Sequence, residues 1–238
     1  MILIVIPARS GSKGIKNKNL RKLNNKSLLN HTIDFCNDLS FNKFILVSTD
    51  SKSYMNHALK SKCEFWPLRA KEYSNDTALA VDVWRYEWLR FENHIGKEIK
   101  KSIYLEPTSP FRKPKDIYEC LENLKDNQEC CFTCSEVPRE YSPYKMIQVD
   151  NEFNFKPLIP HSINEKNTNR HLLPKVYQRN GLCYAASRER VVTQRKIINC
   201  EKTKSLITNR KVINIDSMEQ LKLARKMLKK QFINKNSM

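Results

Sequence analysis

The sequence predicts an α/β fold built on a parallel, three-layer sheet. Three observations carry that prediction. The chain opens on an apolar run without charge, Ile2–Ile6, the signature of a strand buried on both faces. Strand and helix patterns then alternate three times within residues 1–130, as they do where crossover helices cover a parallel sheet. After Glu136 the alternation breaks, with prolines at 138, 143, 157, 160 and 174. Residues 137–175 therefore read as an excursion from one domain spanning 1–238, a length that buries a single substantial core.

Taken in order, Pro7 ends the first strand, since proline cannot donate to a sheet ladder. Leu29, Ile33 and Cys36 recur at helical spacing between Ser27 and Leu39. Phe44–Val47 is a second buried strand, with Ser48-Thr49-Asp50 at its C-terminal end, where open α/β sheets collect ligands. Asp50 is placed either to face such a ligand or to cap the next helix, 51–62. Asp76 is expected to cap a helix whose buried stripe is Val81, Trp84, Trp88 and Phe91. Ser102–Leu105 is the third strand and runs into a proline-stiffened turn, Glu106–Pro110. Pro114 suits the first turn of a helix facing inward with Ile117, Leu121 and Leu124. In the excursion, Tyr144–Val149 reads as a strand and Asp150–Glu152 as a turn. Leu182–Ala186 returns to strand, and Val212–Ile215 is expected as the last one. Ser217 and Gln220 have capping-box spacing before a final helix with Leu221, Ala224 and Leu228 inward.

Composition narrows the function. Lys and Arg outnumber Asp and Glu 43 to 25, a formal charge of +18, which invites a nucleic-acid reading. The cations are scattered, however, and no zinc-finger, helix-turn-helix or ribonucleoprotein pattern accompanies them. A basic cleft would instead gather small anionic substrates. The short N-terminal apolar run has no basic lead-in and reads as a strand rather than a signal peptide, and no apolar stretch is long enough to span a membrane. Eight scattered cysteines fit a reducing, cytoplasmic setting. Cys131-x-x-Cys134 lacks the second pair that a closed zinc site needs and reads as buried strand.

The most informative stretch is Ala8-Arg9-Ser10-Gly11-Ser12-Lys13-Gly14, followed by Lys16, Lys18 and Asn19. Two of the chain's four glycines lie in it. Glycines let backbone N–H groups approach phosphate oxygens, and cations offset their charge. The spacing fits neither the triphosphatase P-loop nor the dinucleotide fingerprint. Without a phosphate, the same stretch is a strand-to-helix turn carrying solvated lysines.

Ile6–Gly14 with Lys18-Asn19-Leu20 resembles the opening of the acylneuraminate cytidylyltransferase family, the CMP-sialic acid synthetases and their legionaminate and pseudaminate relatives. Val47–Asp50, Pro107–Arg112, Arg179-Asn180-Gly181 and Ile215–Ser217 are similar to its later motifs, in the same order. The resemblance implies a Rossmann-like three-layer α/β/α nucleotidyltransferase sheet with a small dimerisation lobe, hence a homodimer. It implies transfer of CMP from CTP to the anomeric hydroxyl of an acidic nine-carbon 2-keto sugar, with release of pyrophosphate and with Mg2+ as cofactor.

The resemblance also distributes roles. Ala8, Arg9, Ser10, Gly11, Ser12, Lys13, Lys18, Asn19 and Asp76 would hold the nucleotide, with Arg9, Lys18 and Asp216 catalytic. Lys16 and Arg21 read as solvated. Asp216 would bind the metal together with Asn214, which stands where many relatives carry a second aspartate. Glu106, Thr108, Ser109, Lys145, Arg170, Arg179 and Asn180 would hold the sugar. Relatives that bind sialic acid commonly have glutamine where Glu106 stands. An ionised glutamate only accepts hydrogen bonds, so the expected sugar is an acid other than plain N-acetylneuraminate. The rival readings are a 3-deoxy-manno-octulosonate-type cytidylyltransferase, a family member that binds nucleotide without catalysis, and a non-enzymatic basic nucleic-acid-binding protein.

Overall fold

The computed structural model describes residues 1–64, 66–125, 128–162 and 172–235. The first strand, β1 (Ile2–Pro7), is buried as its unbroken apolar run requires. After it come a short hairpin, β2 (Lys22–Leu23) and β3 (Lys26–Ser27), and helix α1 (Leu28–Asn37). The Ser27 side chain caps α1 by accepting from the Asn30 N–H. Next are β4 (Lys43–Ser48), α2 (Lys52–Ala58), α3 (Ala80–Ile95), β5 (Lys101–Tyr104) and α4 (Pro114–Glu122). The chain continues through β6 (Cys130–Glu136), β7 (Ile147–Val149), β8 (Phe155–Pro157), β9 (Tyr177–Ser187) and β10 (Thr203–Ile207), and closes with α5 (Met218–Lys235).

The main sheet has the order β10-β6-β9-β5-β1-β4. β1 pairs in parallel with β4 on one side and β5 on the other, as the alternating pattern predicts. The sheet as a whole is mixed, because β9 enters antiparallel against β5. Side-chain alternation on β1 separates two cores. Ile4 and Ile6 pack with Leu29, Ile33 and Cys36 of α1 and with Ile117 and Cys120 of α4. Leu3 and Val5 pack on the opposite face with Trp84, Trp88 and Phe91 of α3. Helices therefore cover both faces, the three-layer arrangement expected of buried parallel strands.

A third, smaller core joins Ile15, Leu23, Leu28, Ile213 and Ile215 to Leu221 and Ala224 of α5. The segment 211–216 has no regular secondary structure; its Ile215 N–H donates to the Thr108 carbonyl at 2.8 Å. The strand expected there lies earlier, as β10. Apolar residues at 213 and 215 point into this local core rather than into a ladder, so alternation alone could not separate the two cases. Ser217 and Gln220 form the expected reciprocal cap: the Gln220 Oε1 accepts from Ser217 N–H at 2.8 Å, and Gln220 N–H donates to Ser217 Oγ.

The described chain divides into two compact units. The first holds 1–133, 180–206 and 211–238; the second holds 134–179 and 207–210. Within the second unit β7 and β8 form an antiparallel hairpin. Tyr144 and Lys145, expected as strand, lie in a 3-10 turn instead, since Pro143 at its first position favours helical φ and cannot donate to a ladder.

Candidate active site

A cleft of about 530 Å³ opens in the first unit at the C-terminal ends of β1 and β5, where ligands bind in open α/β sheets. Arg9, Ser12, Lys13, Gly14, Lys18 and Asn19 line it from the loop after β1; Glu106, Pro107 and Thr108 come from the turn after β5. Asn214 and Asp216 come from the segment before α5, and Arg69, Tyr73, Asn75 and Asp76 from the stretch before α3. Four segments thus converge, and among them Lys18 and Asp216 meet across a sequence separation of 198.

The loop's backbone is shaped by two contacts. Asp50 is not a helix cap, since Ser51 fills that role for α2. Its carboxylate accepts from the Ser10 N–H at 2.8 Å and from Ser10 Oγ at 2.9 Å. Ser12 N–H donates to Ser10 O. Among the described residues the N–H groups of Gly11, Lys13 and Gly14 have no such acceptor, and they remain available to an anion. Gly14 is required sterically: a Cβ there would stand 2.7 Å from the Asp216 carbonyl oxygen. Gly11 is not, because a Cβ there meets nothing within 4 Å and its φ is unexceptional. The scarcity of glycine in the chain is therefore a guide to backbone need at Gly14 and not at Gly11.

Three of the cleft's cations, all on the loop after β1, are held by its carboxylates. Asp76 pairs with both Arg9 Nη1 and Lys13 Nζ at 2.7 Å, and Asp216 pairs with Lys18 Nζ at 2.6 Å. The Lys13 and Arg9 hydrogen bonds hold the Asp76 carboxyl below its ordinary range. Asp76 does not cap α3; that helix starts four residues later, behind Leu79, without a side-chain cap. The two cations pull the carboxylate toward the loop. Asp216 likewise differs from expectation: it follows no strand, and its side chain is 59% exposed, so solvent as well as Lys18 compensates its charge.

Several of the expected site residues also have partners in the scaffold. Ala8 is fully buried in the sheet core. Asn19 lines the cleft and donates to the Arg9 carbonyl at 3.3 Å, tying the two ends of the loop. Ser109 is buried and donates to the Asn180 carbonyl at 3.2 Å. Asn180 Oδ1 accepts from Thr133 Oγ1 at 2.6 Å, so its amide oxygen ties β6 to β9. Lys145 and Arg179 lie in the second unit, and Arg170 lies outside the described residues.

Arg69 is the site residue that sequence reasoning missed. It is 5% exposed, lines the cleft, and leaves its Nε and Nη2 without a hydrogen-bond partner among the described residues. A buried guanidinium with open donors is costly unless something fills them. Burial lowers its pKa, opposed by Tyr104, Glu87 and Asp50. Its sequence signal is weak: Pro67-Leu68-Arg69-Ala70 has no helical or strand periodicity.

Comparison with known proteins decides what this cleft belongs to. The family model described as Cytidylyltransferase matches residues 3–235. The chain is a member of the cytidylyltransferase family. Two relatives span most of this cytidylyltransferase. One is the post-translational flagellin modification protein B of Campylobacter coli, 32% identical over 189 residues, which are 79% of this chain and 78% of the relative. The other is the CMP-N,N'-diacetyllegionaminic acid synthase of Legionella pneumophila, 31% identical over 206 residues, 86% of this chain and 85% of the relative. The solved structure of CMP:2-keto-3-deoxy-manno-octonic acid synthetase complexed with CTP superposes with a TM-score of 0.68 over 97% of this chain and 99% of that one. At 16% identity it establishes the cytidylyltransferase's fold. Family membership sets aside the reading as a basic nucleic-acid-binding protein.

Proposed function

We propose that the enzyme transfers CMP from CTP to the anomeric hydroxyl of a nonulosonic acid, releasing pyrophosphate. The observation that carries this reading is the convergence of Arg9, Lys13, Lys18 and Arg69 on one cleft beside the open N–H groups of the loop. Incoming phosphates take Arg9 and Lys13 from Asp76 and Lys18 from Asp216, exchanging one set of charge-assisted hydrogen bonds for another. Arg69, with donors already open and shielded from water, suits the acceptor-rich edge of a pyrimidine. These fixed donors orient the triphosphate for in-line attack and oppose the charge that grows on the leaving pyrophosphate.

The reading includes a magnesium ion. Among the described residues no group of three or more acidic, His or Cys ligands is gathered to hold a metal. The hard oxygen donors Asp216 and Asn214 both line the cleft and fit an ion that arrives with the nucleotide, which supplies most of its ligands. Such an ion supplies further neutralisation of phosphate charge.

Glu106 supports an acceptor other than plain N-acetylneuraminate. Its carboxylate reaches the cleft wall beside Gly181, where a Cβ would stand 2.8 Å from Oε2. An anion there favours hydroxyl or ammonium donors on the sugar. The Legionella pneumophila relative, named for a diacetyllegionaminic acid product, supports the same class. No helix among the described residues is long and apolar enough to cross a membrane. The reading places the enzyme in the cytoplasm, which eight cysteines scattered through the sequence support.

The reading extends to a homodimer. The β7–β8 hairpin exposes Ile147, Val149 and Phe155, and Phe153 in its turn is 87% exposed. A two-stranded hairpin with apolar side chains in water is marginal alone and gains from a second surface.

The test is pyrophosphate release from CTP and Mg2+ with a panel of acidic sugars: legionaminate-, pseudaminate- and N-acetylneuraminate-type acids and a 3-deoxy-octulosonate. Release with a nine-carbon acid, and a changed ranking among them in Glu106→Gln, is expected. Release only with the octulosonate, or with none of the panel, contradicts the proposal.

A further inference from the structure

The cleft's acceptor side is braced from behind by a cation that never reaches it. Arg112 follows the proline-stiffened turn after β5 and is 7% exposed. Each nitrogen of its guanidinium serves a different element. Nε donates to the Leu182 carbonyl of β9 at 3.0 Å, Nη1 to Thr32 Oγ1 of α1 at 3.0 Å, and Nη2 to the Glu106 carbonyl at 2.6 Å. All three acceptors are neutral. What they require is therefore the planar fork of donors, which lysine cannot reproduce. Burying a cation without need is expensive, so its position at the back of the turn asks for a reason.

The two carbonyls supply one. Glu106 lines the cleft with its side chain, and Thr108, two residues on, lines it beside Pro107. Leu182 follows Gly181, which has φ +70 and where an added Cβ would stand 2.8 Å from Glu106 Oε2 and 2.7 Å from Ser109 Oγ. The Arg112 fork thus fixes the main chain on both sides of the Glu106 carboxylate. The turn is also tied to the segment before α5 by the Ile215 N–H bond to the Thr108 carbonyl, and that segment carries Asn214 and Asp216.

We propose that Arg112 is the positioning residue of the acceptor side of the cleft: its guanidinium sets the Glu106 main chain and the start of the β9 core segment so that Glu106 and Thr108 meet the sugar in register. The inference rests on the proposed transfer to an acidic sugar and deepens it. Arg112 touches neither substrate. A shift of the turn by about 1 Å would misplace its lining groups and cost up to about a hundredfold in turnover. The nucleotide's cations, Arg9, Lys13 and Lys18 on the loop after β1 and Arg69 before α3, would stay where they are.

The experiment compares unsubstituted enzyme with Arg112→Lys, measuring CTP and acceptor affinity separately by calorimetry and the KM of each by pyrophosphate release. For Arg112→Lys the acceptor Kd and KM rise about tenfold while CTP affinity changes less than about twofold, a loss close to one well-made hydrogen bond to a charged group. Thr32→Val removes one acceptor of the fork at a position remote from the cleft. It gives a smaller shift of the same kind, and covers the case in which the lysine variant does not fold. Equal loss of both affinities, or lower thermal stability with both affinities kept, overturns the inference and leaves Arg112 a core brace. If the unsubstituted enzyme binds CTP but no acidic sugar, both this inference and the proposed acceptor fall. If it binds the sugar and the variants bind it equally well, only this inference falls.

Discussion

At the scale of single residues, the nucleotide side of the cleft is a balance of charges that the sequence half reveals. Arg9, Lys13 and Lys18 stand out in the opening motif because cations beside a glycine bend suit phosphates. What their carboxylate partners do is not legible there. Asp76 has the residue type and place of an N-cap, yet it bonds Arg9 and Lys13. Asp76 therefore occupies the donors that the triphosphate takes in the proposed complex. Asp76→Asn is expected to tighten CTP binding by about threefold to tenfold, since a neutral amide competes less well for cations than a carboxylate. Calorimetric titration with CTP in the absence of metal checks this; weaker binding would mean that Asp76 itself contacts the nucleotide. Because its cationic partners depress the Asp76 pKa, the pairing persists above the ordinary carboxylate range and is lost only as pH falls through the lowered value. The competition is then constant across neutral pH.

At the scale of elements, the loop after β1 is the part whose shape the chemistry depends on, and its two glycines are not equivalent. Gly14→Ala drives a Cβ into the backbone oxygen of Asp216 at 2.7 Å, so loop and segment 211–216 must separate. CTP affinity is expected to fall at least about tenfold, with a stability loss of about 1–3 kcal/mol from overpacking. Gly11→Ala, in open space, is expected to change either by less than twofold or about 0.5 kcal/mol. Equal effects of the two substitutions on CTP titrations and thermal melts would contradict this account of the loop. The regular elements were legible because burial sets their spacing: Leu29, Ile33 and Cys36 mark the one buried face of α1, and the continuous apolar runs of β1 and β4 mark strands buried on both faces; the Ser217–Gln220 cap marks the start of α5. The segment 211–216 and β10 were exchanged because Ile213 and Ile215 pack on α5, a tertiary contact that leaves a strand-like pattern without a strand. Arg69 was missed because its significance lies in burial without partners, which has no sequence period.

At the scale of the molecule, one sheet positions the proposed reaction and a separate small unit carries apolar surface. Val149 and Phe155 face solvent on β7 and β8, so Val149→Lys with Phe155→Lys removes apolar area without touching any of the three cores. Size-exclusion chromatography with light scattering is expected to give a dimer for the unsubstituted chain and a monomer for this variant. A monomeric parent would contradict the dimer. The central claim is that the cationic bend after β1 grips CTP while an acidic sugar displaces its pyrophosphate. Sugar-dependent pyrophosphate release, measured side by side for the unsubstituted enzyme and Arg9→Ala, tests it most directly. The account predicts release that requires both CTP and a nine-carbon acid, and a loss of about a hundredfold or more in Arg9→Ala; equal rates for the two proteins, or release that ignores the sugar, would contradict it.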